Sequence, residues 1–237
     1  MKERPILFSA PMVRAILIGR KTQTRRIIKP QPSDYQVETV APQRLAGQPP
    51  KHPKPYFDAY NGGPHWCWWD EYDRQGADWI KCPYGVPGDR LWVKETHAIV
   101  PRTAYAMSDG VHRTLRPDDS HDAAVYAADW ERSNPGRWRP SIHMPRWASR
   151  ITLEITGVRA QRLNDCSAAD AAAEGLIKLP ASGRYVVEQG DQYFGAASHD
   201  PREVYAWLWE HINGVGSWAA NPWVWIVEIK RIEADHG

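Results

Sequence analysis

Apolar positions recur at helical spacing near the start of the chain. Ser9 can cap the helix, and Gly19 is placed to end it, so we predict a helix over residues 10–18. A basic, polar turn over residues 19–26 then leads to a pair of β-branched side chains at 27–28, which predicts a strand. The helical stripe consists of Met12, Val13, Ile16 and Leu17.

Three later segments have strand patterns. Residues 90–96 alternate so that the side chains of Leu91 and Val93 share one face. Residues 149–158 alternate apolar with polar side chains, which is typical of a half-buried antiparallel strand. Residues 223–230 are apolar on both faces at first, which predicts a strand in the middle of a barrel.

Two further helices carry start and stop signals. Ser167 and Asp170 resemble a capping box that opens an alanine-rich helix, and Gly175 should end it. Asp200 can start another helix in the same way, with Gly214 closing it. The spacing therefore places one short and one longer helix between the last two strands.

The rest of the chain lacks regular periodicity. Residues 30–88 are rich in proline, and we expect a long irregular insertion there; a second insertion spans 97–148, with a short strand at 124–127. No helix follows the strands in a way that would link parallel neighbours. We therefore expect one α+β domain over 1–237, built on a small barrel flanked by short helices rather than on a doubly wound sheet.

Composition narrows the class of protein. The 237 residues are 42% hydrophobic and 24% charged, which excludes disordered, collagen-like and coiled-coil chains. No apolar run approaches the roughly 20 residues of a spanning helix, and the first residues lack the apolar core of a signal peptide. Three cysteines form no dense framework. We expect a cytoplasmic protein without a membrane partner and with free thiols.

Two side-chain groups in the first insertion allow more than one interpretation. His65, Cys67 and Cys82 could ligate zinc, but no paired Cys-X-X-Cys is present, and we expect neither a metal nor a cofactor. The chain has 13 Trp against 3 Phe. Four of these tryptophans either form an aromatic wall for a base or, as we favour, a small satellite core: Trp66, Trp68, Trp69 and Trp79.

Positive charge is concentrated although the net charge is only +2. A local excess of cations favours an anionic partner such as a nucleotide or single-stranded nucleic acid. The first 33 residues contain a single acid and these cations: Lys2, Arg4, Arg14, Arg20, Lys21, Arg25, Arg26 and Lys29. A second basic stretch contains Arg132, Arg137, Arg139, Arg146 and Arg150.

The segment Gly19-Arg20-Lys21-Thr22-Gln23-Thr24-Arg25-Arg26 resembles the signature of the ASCH family of PUA-like barrels. In that signature Gly is followed by any residue, Lys-Thr, any residue, Glu or Thr, any residue and Arg. Residues 88–93 and 225–229 are similar to two barrel strands of the family. The chain resembles the longer members from phages and prophages, which implies a PUA-like fold with long insertions.

Thr24 stands where most of the family has Glu, and in this respect the chain resembles the bacterial N4-acetylcytidine amidohydrolases. The resemblance implies Lys21, Thr24 and Glu174 as catalytic residues. A Thr hydroxyl needs a base to attack an amide, and Lys21 can serve if burial and nearby cations lower its pKa. Glu174, near a helix C-terminus, would be the acid because the helix dipole disfavours its charge.

Other functions remain open at this level. Arg20, Arg25 and Arg26 are the expected substrate-binding cations, and together with the second basic stretch they also fit a non-catalytic nucleic-acid-binding module. A ribonuclease-like ASCH protein is a third alternative. The sequence favours the amidohydrolase, provided that Lys21, Thr24 and Glu174 converge on one cleft.

Overall fold

A computed structural model describes residues 1–31, 53–58, 63–69, 75–118 and 121–232, with the backbone alone described over the strands between 53 and 80. The described part is a mixed α+β fold, as predicted. Its α-helices are α1 (Ala10–Leu17), α2 (Ala168–Ala173) and α3 (Pro201–Asn213). Its strands are β1 (Glu3–Leu7), β2 (Gln23–Ile27), β3 (Pro53–Asp58), β4 (Gly63–Trp69), β5 (Gln75–Ile80), β6 (Arg90–Lys94), β7 (His97–Pro101), β8 (Thr114–Leu115), β9 (Asp122–Tyr126), β10 (Thr152–Arg162), β11 (Ile177–Lys178), β12 (Tyr185–Val186) and β13 (Trp223–Ile232).

The largest sheet has the order β1-β6-β10-β13-β2. β1 and β6 are parallel, and the other neighbours are antiparallel. β13 lies between β10 and β2, and both of its faces are apolar because a separate core packs against each of them. The side chains of β13 are buried on both faces of the sheet. Trp225 and Val227 pack in the core with α1, whereas Val224 and Ile226 pack in a second core with α3.

The expected barrel is not closed in the described residues. None of the four sheets returns to its first strand, and β1 and β2 form the two edges of the largest one. A barrel needs hydrogen bonds between its first and last strands. The absence of crossover helices in the sequence argues against a doubly wound sheet but does not determine whether a sheet closes.

The two insertions contain regular structure, which corrects the expectation of irregular chain. β3, β4 and β5 form an antiparallel sheet within 30–88, and β7, β9 and β8 form another within 97–148. Pro53 and Pro55 lie in β3, an edge strand of its sheet, where a missing N–H is tolerated. These strands have at most seven residues, which is too short for a sustained alternation of apolar and polar side chains to be recognised in the sequence.

The bounds of the three helices are confirmed to within a residue or two. Ser9 occupies the N-cap position of α1, but its side chain makes no cap hydrogen bond. Gly19 follows α1 with φ +73°. The Ser167 side chain accepts a hydrogen bond from the backbone N–H of Asp170 in a complete capping box, and Asp200 caps α3. Among the described residues, no helix is long and apolar enough to cross a membrane.

The motif turn is shorter than predicted. β2 begins at Gln23, so that residues 23–26 are strand, because Thr24 and Arg25 pair with Val227 and Ile226 of β13. β1 was not predicted at all. Both strands depend on partners that are distant in the chain, which local patterns do not reveal.

Candidate active site

The turn between α1 and β2 is held by backbone hydrogen bonds from two directions. The N–H of Lys21 donates to the carbonyl of Ala15, 3.1 Å away, at the end of α1. The N–H of Thr22 donates to the carbonyl of Ala173 in α2 at 3.0 Å. The turn between α1 and β2 is therefore fixed against the last turn of α2. Glu174 directly follows Ala173, the residue that accepts the hydrogen bond from Thr22.

Lys21 and Glu174 form a buried ion pair. The Lys21 Nζ donates to Glu174 Oε2 at 2.7 Å and to the Glu174 carbonyl at 2.8 Å. The two side chains are only 2% and 3% exposed. Gly175 has φ +108°, and a Cβ there would lie 2.9 Å from the Cβ of Ala15 and 3.1 Å from that of Lys21. Glycine at 175 thus permits the close approach of the two segments.

A second cation contacts the same carboxylate. Arg25 Nη1 donates to Glu174 Oε1 at 3.0 Å, and its Nη2 lies 3.4 Å from Asp170 Oδ1 without forming a hydrogen bond. The Arg25 side chain is fully buried, with its guanidinium 5.9 Å from the ring centroid of Tyr205. Arg25 is therefore a direct partner of Glu174, and its expected role as a substrate-binding cation stays a prediction.

Thr24 and Arg26 lie on the opposite face of β2 from Arg25, because side chains alternate along a strand. Thr24 is 3% exposed, and its hydroxyl makes no hydrogen bond within the described part of the chain. The Arg26 guanidinium lies 5.4 Å from the ring centroid of Phe8 and donates to the carbonyl of Leu7 at 2.7 Å.

All three expected catalytic side chains line one cavity of about 690 Å³: those of Lys21, Thr24 and Glu174. Its size is within the usual range for small-molecule sites. Arg25 and Arg26 also line it, whereas Arg20 does not and instead donates to the carbonyl of Gly175 at 2.9 Å. Aromatic rings form much of the wall: Phe8, Tyr84, Tyr205, Trp209 and Trp225.

Burial dominates the electrostatics of Lys21. Removal from water lowers the pKa of its ammonium, the charge and hydrogen bond of Glu174 raise it, and Arg26 and Arg25 lower it further, with a net decrease from 10.5. The expected direction is therefore present, with burial as the main cause. The pKa of Tyr205 is raised, first by burial and then by the charge of Glu174, which keeps its hydroxyl protonated.

The setting of Glu174 differs from the one expected of a helix end. It caps the six-residue helix α2, but its carboxylate is held between Lys21 and Arg25, which balance its charge. Direct contacts at 2.7 and 3.0 Å outweigh the dipole of so short a helix.

Some expected features fall elsewhere. The side chains of His65, Cys67 and the four tryptophans of the first insertion lie outside the described residues, so the zinc and aromatic-wall hypotheses are not resolved. Cys82 is half-buried, and burial raises the pKa of its thiol. Among the described residues, no group of three His, Cys, Asp or Glu could hold a metal ion.

Sequence reasoning missed the aromatic wall from α3. Tyr205 and Trp209 are four residues apart and lie on the same face of the helix, a spacing that indicates a shared contact. It also missed the bond from Arg25 to Glu174, for which the sequence has no local signal.

Comparison of the chain with models of protein families, with curated proteins and with solved structures finds no match.

Proposed function

We propose that the protein is an amidohydrolase that removes an acyl group from a nucleoside or base such as N4-acetylcytidine, and that its fold is an ASCH-type, PUA-like one. The observation that carries the proposal is the buried Lys21–Glu174 pair in the wall of the cavity that Thr24 also lines. A nucleophile, a base of lowered pKa and an acid are the groups that amide hydrolysis requires.

The first step needs a neutral amine. A proton that passes from Lys21 Nζ to Glu174 Oε2 across 2.7 Å creates a base and a carboxylic acid together. Burial favours the neutral form of Lys21, because it lowers the pKa of the ammonium. The neutral Nζ then accepts the hydroxyl proton of Thr24 while the Thr24 oxygen attacks the acyl carbonyl carbon.

Collapse of the tetrahedral intermediate breaks the bond between the acyl carbon and the nitrogen. Glu174 gives its proton to the departing amine, and the acyl group remains as an ester on Thr24. At this stage Lys21 is an ammonium and Glu174 is a carboxylate. Water then attacks the ester while the Glu174 carboxylate accepts its proton, and the Lys21 ammonium returns a proton to the Thr24 oxygen as the carboxylic acid leaves. The overall reaction consumes one water and yields one acid and one amine.

The walls of the cavity favour a planar substrate. Phe8, Tyr205, Trp209 and Trp225 offer apolar ring surface, which suits the face or edge of a nucleobase. The Tyr205 hydroxyl, which stays protonated, is available as a hydrogen-bond donor or acceptor. The base would lie among these rings with its acyl amide towards Thr24.

The test is incubation of the purified protein with N4-acetylcytidine, with cytidine and acetate measured as products. Equal amounts of the two products at a rate proportional to protein concentration would support the proposal. Absence of turnover by folded protein on N4-acetylcytidine and on other N-acylated bases would contradict it.

A second candidate is a nucleic-acid-binding module without catalysis. Lys29 and Lys81 are exposed at the cavity and form no ion pair with any described residue, which leaves their charge available to phosphates. Binding of nucleic acid without hydrolysis of any N-acylated base would favour this candidate over the amidohydrolase.

A further inference from the structure

A second cavity of about 810 Å³ lies on the sheet formed by β7, β9 and β8. We call it the insertion groove. The residues that matter for its chemistry are cationic, aromatic or acidic: Arg102, Arg116, Arg139, His143, Trp147 and Asp122. None of the three proposed catalytic residues lines the insertion groove.

Among the described residues that line the insertion groove, arginines outnumber acids: Arg102, Arg116 and Arg139 against Asp122. Arg116 Nη1 donates to Asp122 Oδ2 at 3.2 Å, so that this carboxylate is already paired. Arg102 and Arg139 are exposed, and neither forms an ion pair with a described residue. A groove with surplus guanidinium groups attracts a phosphate-bearing ligand.

Other arginines of the same basic stretch have their charges occupied. Arg146 binds both carboxylate oxygens of Glu3, at 2.9 and 2.8 Å. Arg150 is largely buried and binds Glu95 and Asp129. Within that stretch, Arg146 and Arg150 are therefore structural cations, whereas Arg139 lines the insertion groove.

The insertion groove also offers a ring. Trp147 is half-buried, and the Arg116 guanidinium lies 5.8 Å from its ring centroid. Cations that follow a backbone together with an aromatic ring that stacks on a base are the combination that binds single-stranded nucleic acid.

The two cavities are neighbours. Arg139 and His143 line the insertion groove, while Ser141 between them lines the Thr24 cavity. Thr96 lines the Thr24 cavity, and Ile99 in β7 lines the insertion groove. Three residues of extended chain span about 10 Å. A ligand of a few nucleotides can therefore reach from one cavity to the other.

We propose that the insertion groove binds the backbone of single-stranded nucleic acid, and that the substrate is a polynucleotide whose acylated base enters the Thr24 cavity. The substrate assignment rests on the proposed amidohydrolase function. The binding of nucleic acid at Arg102 and Arg139 does not, and it can be measured without turnover.

The test compares free N4-acetylcytidine with single-stranded RNA and DNA octanucleotides, unmodified or carrying one N4-acetylated cytosine. The double variant Arg102→Ala/Arg139→Ala should bind octanucleotides about tenfold more weakly at low salt. Its slope of log affinity against log salt should flatten by about 1.4, at about 0.7 for each lost phosphate contact. Its kcat/KM on the free nucleoside should match the wild type.

Arg137→Ala is the matched control, because Arg137 is an exposed arginine of the same stretch that does not line the groove. It should leave octanucleotide binding unchanged. Thermal unfolding should show that all variants are folded. Equal octanucleotide affinity in the double variant and the wild type, or an equal loss in Arg137→Ala, would overturn the proposal.

The two proposals fail separately. Octanucleotide binding that depends on Arg102 and Arg139, without hydrolysis of any N-acylated base, would support nucleic-acid binding at the insertion groove and contradict the amidohydrolase function. Hydrolysis of the free nucleoside with no octanucleotide binding would support the amidohydrolase function and contradict nucleic-acid binding at the insertion groove.

Discussion

The Lys21 ammonium and the Glu174 carboxylate lie 2.7 Å apart although 153 residues separate them in the chain. Both side chains are almost wholly removed from water. A buried ion pair contributes little net stability, because desolvation of the two charges offsets their attraction. Its position in a cavity wall, with the pKa of its lysine lowered, is typical of a catalytic site.

Substitution of Thr24 tests the nucleophile. Thr24→Ala removes the hydroxyl and little volume, so kcat on N4-acetylcytidine should fall by about three orders of magnitude or more. Thr24→Ser is the control, since it keeps a hydroxyl at the same position and should keep measurable activity. Wild-type turnover by Thr24→Ala would show that water or another residue attacks the amide.

The rate should depend on pH through Lys21. The active pair shares one proton, which Lys21 passes to Glu174 and Glu174 then gives to the leaving amine. The value of kcat should therefore fall at high pH once the pair loses this proton, and because the pKa of Lys21 is lowered, the fall should begin below the ordinary value of 10.5. Lys21→Arg keeps a cation beside Glu174 but cannot lose a proton, and it should be inactive at every pH. Activity of Lys21→Arg close to the wild-type rate would rule out Lys21 as the base.

Glu174→Gln should change the rate and its pH dependence together. Glutamine has no carboxylic proton for the leaving amine, so kcat should fall. Without the carboxylate, Lys21 must release its proton to solvent, so the residual activity should rise with pH instead of falling at high pH. Because the Glu174 charge raises the pKa of Lys21, this rise should occur at lower pH than the fall in the wild type. A residual activity that falls at high pH as in the wild type would argue against proton transfer between the two groups.

Gly175 should be sensitive to a single methyl group. In Gly175→Ala the new Cβ would lie 2.9 Å from the Cβ of Ala15 and 3.1 Å from that of Lys21, at a φ of +108°. Both stability and kcat should fall as Lys21 is displaced. Gly183→Ala is the control, with φ +69° and open space around its Cβ. Chemical denaturation and the N4-acetylcytidine assay should show a larger loss for Gly175→Ala than for Gly183→Ala. Equal losses in the two variants would contradict the steric role of Gly175.

Arg150 should matter for stability far more than Arg146. Arg150 binds Glu95, which is 1% exposed, so Arg150→Ala would leave a buried carboxylate without its cation and lower the free energy of unfolding by about 3–5 kcal/mol. The exposed pair of Arg146 with Glu3 should contribute about 1 kcal/mol or less. Urea denaturation of the two alanine variants measures both values, and similar losses would show the prediction to be wrong.

The loss in Arg150→Ala should depend on pH. Burial raises the pKa of Glu95 above 4.5, and Arg150 opposes that increase. Without Arg150 the folded state keeps a proton on Glu95 that the unfolded state has released. The stability of the variant should therefore fall as pH increases above 4.5, and the difference from the wild type should be smaller at pH 5 than at pH 7. A difference that does not change with pH would contradict this assignment.

Local signals in the sequence were sufficient for the helices. Gly19 after α1 and the capping box at Ser167 act within one or two turns of chain, so they predicted where α1 ends and where α2 begins. The alternation in β6, β10 and β13 was equally readable, because one or both faces of each strand are buried in the cores.

The pairing of strands could not be predicted from local sequence patterns. β1 pairs with β6, and β2 with β13, across long separations, and the sheets of the insertions consist of short strands without a long period. Whether the largest sheet closes depends on the relative placement of its edges. No local pattern encodes that placement.

By itself the sequence determined which residues are candidates: a Lys-Thr motif with Thr24, and an acid at the end of a capped helix. Tertiary structure alone decided their environment. It buried Lys21 against Glu174, brought Arg25 to the same carboxylate, and left Arg20 outside the residues that line the cavity. The reason is physical: the pKa and the charge balance of a group depend on burial and on neighbours within a few ångströms, and only the folded chain brings residues 21, 25 and 174 that close together.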